Sequence, residues 1–253
     1  HESHPKLHLA VSTNIYEVVR ADAKWVPDAD GSSLYLRPFM FASEEFVGVH
    51  PADVVDYYVI GSPSGRYFKD GLAGVAIWVE REYHRAGPGG TGSAKAGGNY
   101  AASLLPQIQA EARGFSQVCF LDTYEGKYLE ELGGMNMFVV MADGTVRTPE
   151  LSGVILEGGT RSAILRMLRD EGVAVREEKI ALSQVVDGIR SGAVAEVFAC
   201  GTAAVVTPIT RLGSDDFDVE LEVGNKTREI HRRLTDIQWG RAEDPYGWTY
   251  RLV

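Results

Sequence analysis

Cysteine is scarce: Cys119 and Cys200 are the only two in 253 residues. Two thiols build neither a disulfide framework nor a cysteine-rich zinc cluster, so no metal site is expected. They fit a reducing compartment. Basic residues are also in deficit, with 25 Lys and Arg against 35 Asp and Glu and a net charge of −10. A nucleic-acid surface calls for the opposite sign, and no nucleic-acid partner is expected. No apolar run approaches the roughly 18–20 residues that cross a bilayer, so no membrane partner is expected either. The opening stretch His1–His8 lacks the basic-then-apolar order of a secretory signal, and the expected location is cytoplasmic. There is no internal repeat and no low-complexity tail.

What is present is an ordinary globular composition, 45% apolar and 24% charged, which excludes collagen, coiled coil and disorder. A short amphipathic helix is predicted over Ile15–Ala23, closed by Pro27, followed by a turn over Asp28–Ser32. Strands are predicted over Leu34–Phe41, with Pro38 marking an edge or bulge, and over Val54–Ile60, where Ser62-Pro63-Ser64-Gly65 breaks the pattern. A third follows over Gly74–Val79. A helix over Asn99–Arg113 ends at Gly114. Strands over Val118–Leu121 and Met137–Met141 come next, the latter opening into an Asp143-Gly144 hairpin turn. Thr160 is expected to cap a helix with Ile164, Leu165 and Leu168 on one face and Gly172 at its end. A strand over Val173–Val175, a helix over Leu182–Ile189, a strand over Val197–Ala199 and a helix over Lys226–Gln238 complete the chain. Strand runs with separated helices predict an α+β, or mixed α/β, fold.

One lysine stands out. Lys95 follows Gly87-Pro88-Gly89-Gly90-Thr91-Gly92-Ser93-Ala94 and precedes Ala96-Gly97-Gly98. The phosphate-binding pattern of a P-loop is absent, because Ser93 and not lysine follows Gly92, and no clear strand feeds a dinucleotide fingerprint. Read alone, Lys95 is open to three roles: a solvated loop residue, a phosphate partner, or an amine tuned for covalent chemistry. Glu131, beside Glu130, reads alone as part of a solvated acidic face. Gly201-Thr202-Ala203 after a strand reads as a tight turn, whose N–H groups suit an anion. Arg37 and Arg85 each read alone as salt-bridge partners.

Taken in order, four segments resemble the branched-chain amino acid aminotransferases, which are fold-type IV pyridoxal-phosphate enzymes. They are Ser33-Leu34-Tyr35-Leu36-Arg37-Pro38, Lys95-Ala96-Gly97-Gly98-Asn99-Tyr100, Glu131-Leu132-Gly133-Gly134-Met135-Asn136 and Gly201-Thr202-Ala203. Lys24-Trp25-Val26-Pro27, Thr148-Pro149-Glu150-Leu151-Ser152-Gly153 and Glu196-Val197-Phe198 agree with them, so the resemblance spans nearly the whole chain.

The resemblance implies a fold-type IV architecture with a partial small domain over residues 1–66, an interdomain loop over 67–72 and a large cofactor-binding domain over 73–253. It implies transfer of the amino group of a branched-chain L-amino acid to 2-oxoglutarate through pyridoxal 5′-phosphate. Lys95 corresponds to the lysine that bonds the cofactor and shuttles the proton, Tyr100 to the partner of its phenolic oxygen, and Glu131 to the acid on its ring nitrogen. Arg85, Gly159, Thr160 and Thr202 correspond to the phosphate end. Tyr35 and Arg37 correspond to the pair that handles the substrate carboxylate, with Thr202 and Ala203 adding backbone donors. Tyr67 corresponds to a loop residue over the side-chain pocket. Val47-Gly48-Val49 resembles a loop reaching into a second subunit, which implies a homodimer.

Departures from the family pattern accompany these matches. Glu157 and Gly159 stand where the family carries proline and a bulky apolar residue, and Glu157 adds negative charge near the expected phosphate. Ala96 replaces a larger residue, and the Cys-x-x-Cys pair of some members is absent. Family members also carry further N-terminal residues, including an arginine of the phosphate cup, so weak cofactor binding is expected here. The alternatives are a repurposed or cofactor-free enzyme of the same fold, and a non-catalytic partner subunit.

Overall fold

The computed structural model describes residues 14–29, 31–65 and 72–252. The chain divides into two compact units, residues 1–69 with 245–253, and residues 70–244. The segment expected as interdomain loop lies, except for Leu72, outside the described residues.

In the first unit, residues 14–21 form α1, and a 3₁₀ turn over Ala23–Trp25 precedes Pro27. Tyr16 stacks on Tyr250 at 5.1 Å, and Arg20 Nε donates to the Leu252 carbonyl at 3.4 Å. These contacts tie the C-terminal segment to α1. Strands β1 (Ser33–Ala42) and β2 (Val55–Ser64) pair antiparallel, with Ser33 opposite Ser64 and Ala42 opposite Val55. The second strand thus runs past the expected stop at Ile60, and Pro63 pairs with Leu34. A two-stranded ribbon consists of two edges, where proline is tolerated. Strand alternation puts Tyr35, Arg37, Phe39 and Phe41 on one face. The Tyr58 ring stacks on Phe39 and Phe41 at 5.5 and 5.7 Å.

The second unit is a nine-stranded mixed sheet with helices. Its strands are β3 (Val75–Val79), β4 (Gln117–Leu121), β5 (Leu129–Leu132), β6 (Asn136–Met141), β7 (Val146–Pro149), β8 (Val175–Glu178), β9 (Val194–Gly201), β10 (Val205–Ser214) and β11 (Phe217–Glu220). They lie in the order β5-β4-β3-β10-β9-β6-β7-β8, with β11 on β10. The helices are α2 (Gly97–Ala112), α3 (Gly159–Asp170), α4 (Leu182–Ser191) and α5 (Asn225–Gln238). This is the α+β class that the sequence predicts.

The central strands are buried on both faces, as the apolar runs of β6 and β9 require. Phe138 and Phe198 face each other across this pair with rings 4.9 Å apart. Beneath α2, Trp78, Ala110, Phe115, Val118 and Phe120 form a second apolar cluster. Helix α5 is fastened to β9 by Glu196, which accepts from the N–H groups of Lys226 and Thr227 and from the Thr227 hydroxyl at 2.9, 2.7 and 2.6 Å. A Cβ on Gly224 would collide with that carboxylate, so glycine is needed there.

Sequence reading had no counterpart for β5, β10 and β11. Adjacent acids masked β5, and Pro208 within β10 breaks its strand pattern.

Candidate active site

The glycine-dense segment becomes a looped approach to α2. Gly90 N–H donates to the Gly87 carbonyl at 3.0 Å, and Gly89 turns the chain at φ +76°. Gly92 passes so close to Val154 that a Cβ would lie 2.4 Å from its carbonyl oxygen. Ala96, the N-cap of α2, offers no side-chain acceptor. Asn99 in the first helical turn ties the loop instead. Its buried Nδ2 donates to the carbonyls of Thr91 and Ala94 at 2.7 and 3.0 Å, and its Oδ1 accepts from the Thr91 hydroxyl at 2.8 Å. Lys95 projects from this fixed loop as an exposed side chain, with Nζ 5.3 Å from the centre of the Tyr100 ring.

Glu131 is not on a solvated face. It lies in β5 at 3% exposure. Arg85, 4% exposed, brings Nη1 to 2.6 Å from Glu131 Oε1 and donates from the same nitrogen to the carbonyls of Gly92 and Val154. Leu156 N–H donates to Oε1 as well, at 2.9 Å. Among the described residues, both interactions of Glu131 fall on Oε1, which leaves Oε2 for a ligand. Burial raises the Glu131 carboxyl to about 7, against the pull of Arg85, the Leu156 N–H and Lys95. Glu130 is also pushed up to about 7, by burial and by the nearby Asp122 carboxylate. Arg85 is therefore bound to Glu131 and two carbonyls, and it is not on the cavity wall where the phosphate end is expected.

Lys95, Glu131, Gly159, Thr160 and Thr202 share a cavity of about 230 Å³. Helix α3 starts at Gly159 with Gly158 as N-cap, and no side chain caps it. Thr160, expected as the cap, is the second helical residue, because Gly158 already holds the extended conformation a cap needs, φ −74° and ψ 133°. The first N–H groups of α3 have no partner within the helix and suit an anion. Thr202 sits in the turn between β9 and β10, which closes with Val205 at φ +55°. A β-branched residue enters that region only under constraint. Ala203 lies in the same turn but does not line the cavity. The convergence has a topological cause. Asn136 pairs with Cys200 across β6 and β9, which sets the turn after Glu131 beside the turn that carries Thr202. Cys200 is fully buried and its thiol is pushed up to about 12 by burial, so it remains a neutral thiol in the wall.

Tyr35 and Arg37 belong to the first unit, where Arg37 Nη2 donates to the Tyr35 hydroxyl and the guanidinium lies 5.0 Å from the Tyr35 ring centre. Tyr67 lies outside the described residues. Asn99 and Asn136 were missed as site residues. The visible signal was a short amide placed shortly after paired glycines. No group of three or more metal-ligating side chains occurs among the described residues. A separate cleft of about 320 Å³ beside Arg81 and α4 contains none of the motif residues, and Arg81 is there bonded to Asp216 and Ser214.

Residues 7–212 match the family described as amino-transferase class IV. The chain is 47% identical, over 246 residues, to the branched-chain-amino-acid aminotransferase of Mycobacterium tuberculosis (strain CDC 1551 / Oshkosh), covering 94% of this chain and 67% of that protein. It is 43% identical to branched-chain-amino-acid aminotransferase 2 of Bacillus subtilis, covering 96% and 68%. The chain thus spans about two thirds of the length of these relatives. Among solved structures it resembles the branched-chain aminotransferase of the archaeon Thermoproteus uzoniensis with norvaline, at 28% identity and a TM-score of 0.78, covering 96% and 75%. It also resembles the branched-chain amino acid aminotransferase of Escherichia coli, at 29% identity and a TM-score of 0.74, covering 94% and 72%.

Proposed function

The chain belongs to the class IV aminotransferase family, and on that premise we propose that it moves the amino group of a branched-chain L-amino acid to 2-oxoglutarate, with pyridoxal 5′-phosphate as cofactor. The observation that carries this reading is the single cavity shared by Lys95, Glu131, the N-terminus of α3 and Thr202. An amine, a buried acid and a helix N-terminus are the donor set that suits an aldehyde, a basic ring nitrogen and a phosphate on one molecule. The names of the relatives support the substrate class.

When bound, pyridoxal phosphate supplies a carbonyl carbon for the amino nitrogen and a ring that accepts the electron pair left at the substrate Cα. Lys95 Nζ is the amine that holds the cofactor and then the base that carries the Cα proton. Glu131 Oε2 would accept from the protonated ring nitrogen and so favour its cationic form, while Arg85 and the Leu156 N–H anchor Oε1. The N–H groups of Gly159 and Thr160 and the Thr202 hydroxyl take the phosphate. Tyr100 holds the phenolic oxygen. Tyr35 and Arg37 carry the hydroxyl and guanidinium that suit a substrate carboxylate, and the N–H groups of the Thr202–Ala203 turn suit an anion. With 2-oxoglutarate the same residues act in reverse order and release glutamate.

The enzyme in this reading is a cytoplasmic homodimer. Val47 and Val49 are fully exposed, as is much of Leu104, Leu105 and Ile108 on α2, which supports apolar burial by a second copy. The free thiols of Cys119 and Cys200 are compatible with a reducing compartment.

The deciding test mixes purified protein, pyridoxal phosphate, L-leucine and 2-oxoglutarate. Equal amounts of glutamate and the leucine-derived 2-oxo acid are expected. Absence of glutamate from leucine, isoleucine and valine alike overturns the reading.

A further inference from the structure

One peptide in the cavity wall is held from both ends. Leu156 lies shortly before α3. Its N–H donates to Glu131 Oε1 at 2.9 Å, and its carbonyl accepts from Asn136 Nδ2 at 2.8 Å. Glu131 and Asn136 stand on either side of a tight turn closed by the Leu132 N–H donating to the Met135 carbonyl. Asn136 is buried, and its other amide atom presses on the next part of the same loop. A Cβ added to Gly158 would lie 2.2 Å from Asn136 Oδ1. Asn136 therefore touches the loop on both sides of Glu157, directly ahead of the first free N–H groups of α3.

We propose that Asn136 is a positioning residue that sets the distance between the Glu131 carboxylate and the N-terminus of α3. The proposal rests on the cofactor reading given above. In that reading one rigid molecule offers its ring nitrogen to Glu131 and its phosphate to α3. A rigid ligand cannot absorb an error in the spacing of two contacts at its opposite ends, so the protein must hold that spacing itself. Arg85 fixes Glu131 from behind, and Asn136 fixes the loop that bears the helix start. The two Asn136 contacts make the spacing a property of the protein before any ligand arrives.

Asn136→Ala removes the donor to the Leu156 carbonyl and adds no charge beside the helix start. In ligand-free protein, hydrogen exchange at the Leu156 and Ser162 amides, bonded to Glu131 Oε1 and the Gly158 carbonyl, is expected to quicken by about tenfold or more. Affinity for pyridoxal phosphate is expected to fall by about tenfold, the value of one hydrogen bond's loss, while pyridoxal, which lacks the phosphate, binds within about twofold of wild type. Unchanged exchange, or equal loss for both ligands, overturns the proposal, since a merely structural residue would not separate them. Gly158→Ala probes the same contact from the other side. It should reproduce the split in the wild-type background and add no further loss in an Asn136→Ala background, where its methyl group has room. Equal cost in both backgrounds also overturns the proposal. Should wild-type protein bind neither ligand, the cofactor reading fails, and the exchange rates of the ligand-free variants still decide whether Asn136 holds the loop.

Discussion

Arg85 Nη1 and Glu131 Oε1 stand 2.6 Å apart with both side chains almost fully buried. The acid proposed to serve the ring nitrogen thus comes with its own counter-charge, held on Oε1. Arg85→Met removes the guanidinium and strands Glu131 in the interior. Breaking a buried pair costs about 3–5 kcal/mol, and urea unfolding of the ligand-free protein should show a loss of that order. Because Arg85 pulls the Glu131 carboxyl down, its removal should also move that titration higher. Wild-type stability in Arg85→Met would show that the pair contributes nothing net.

A pH dependence follows from Glu131. Its carboxyl releases a proton near 4.5 in the unfolded chain and near 7 in the folded protein. Between these values the folded state binds more protons, so this contribution is full below 4.5 and is lost as pH rises through 7, on the order of 3 kcal/mol. Burial holds His231 below its usual value, which acts oppositely over part of the same window, so the informative quantity is a difference. Glu131→Gln should gain on wild type steadily from pH 5 to 8 in urea unfolding of ligand-free protein. A constant difference across that range contradicts the raised titration.

Lys95 is exposed and outside the apolar core. Lys95→Ala should leave stability within about 0.5 kcal/mol and the far-ultraviolet circular dichroism unchanged. Transamination should vanish, together with the visible absorption band that pyridoxal phosphate acquires on the wild-type protein. Persistence of the band in the variant would assign the covalent role to another amine.

Glu157 is exposed and lines the cavity directly ahead of α3. Its negative charge opposes the phosphate proposed for that helix start. Glu157→Gln should tighten pyridoxal phosphate by about twofold to fivefold at low salt, the range of an exposed charge interaction. The gain should shrink as salt is added. Equal affinity at every salt concentration would mean that the carboxylate points away from the phosphate.

Local chemistry along the chain was enough for much of this molecule. The apolar runs of β6 and β9, the Gly114 and Gly172 helix ends and the Asp143-Gly144 turn depend on neighbours a few positions away, and the structure keeps them. The α+β class follows from the same local signals. Lys95 was legible because its glycine frame is contiguous, and Gly92 supplies a reason for one of those glycines in its approach to Val154.

Glu131 could not be read in this way. Adjacent acids in a four-residue strand look solvated, and only pairing of β5 with β4 decides that Glu131 is buried. Arg85 reaches Val154 across 69 positions, and Leu156 reaches Glu131 across 25, so neither bond leaves a trace in the local pattern. Asn136 was within a recognised segment, yet its work depends on a loop that returns to it from beyond β7. A sequence specifies which groups each residue carries and how its own stretch of backbone bends. Which buried charge meets which partner is decided by desolvation in the assembled sheet, where an unpaired polar group costs several kcal/mol and the topology determines which groups lie within reach.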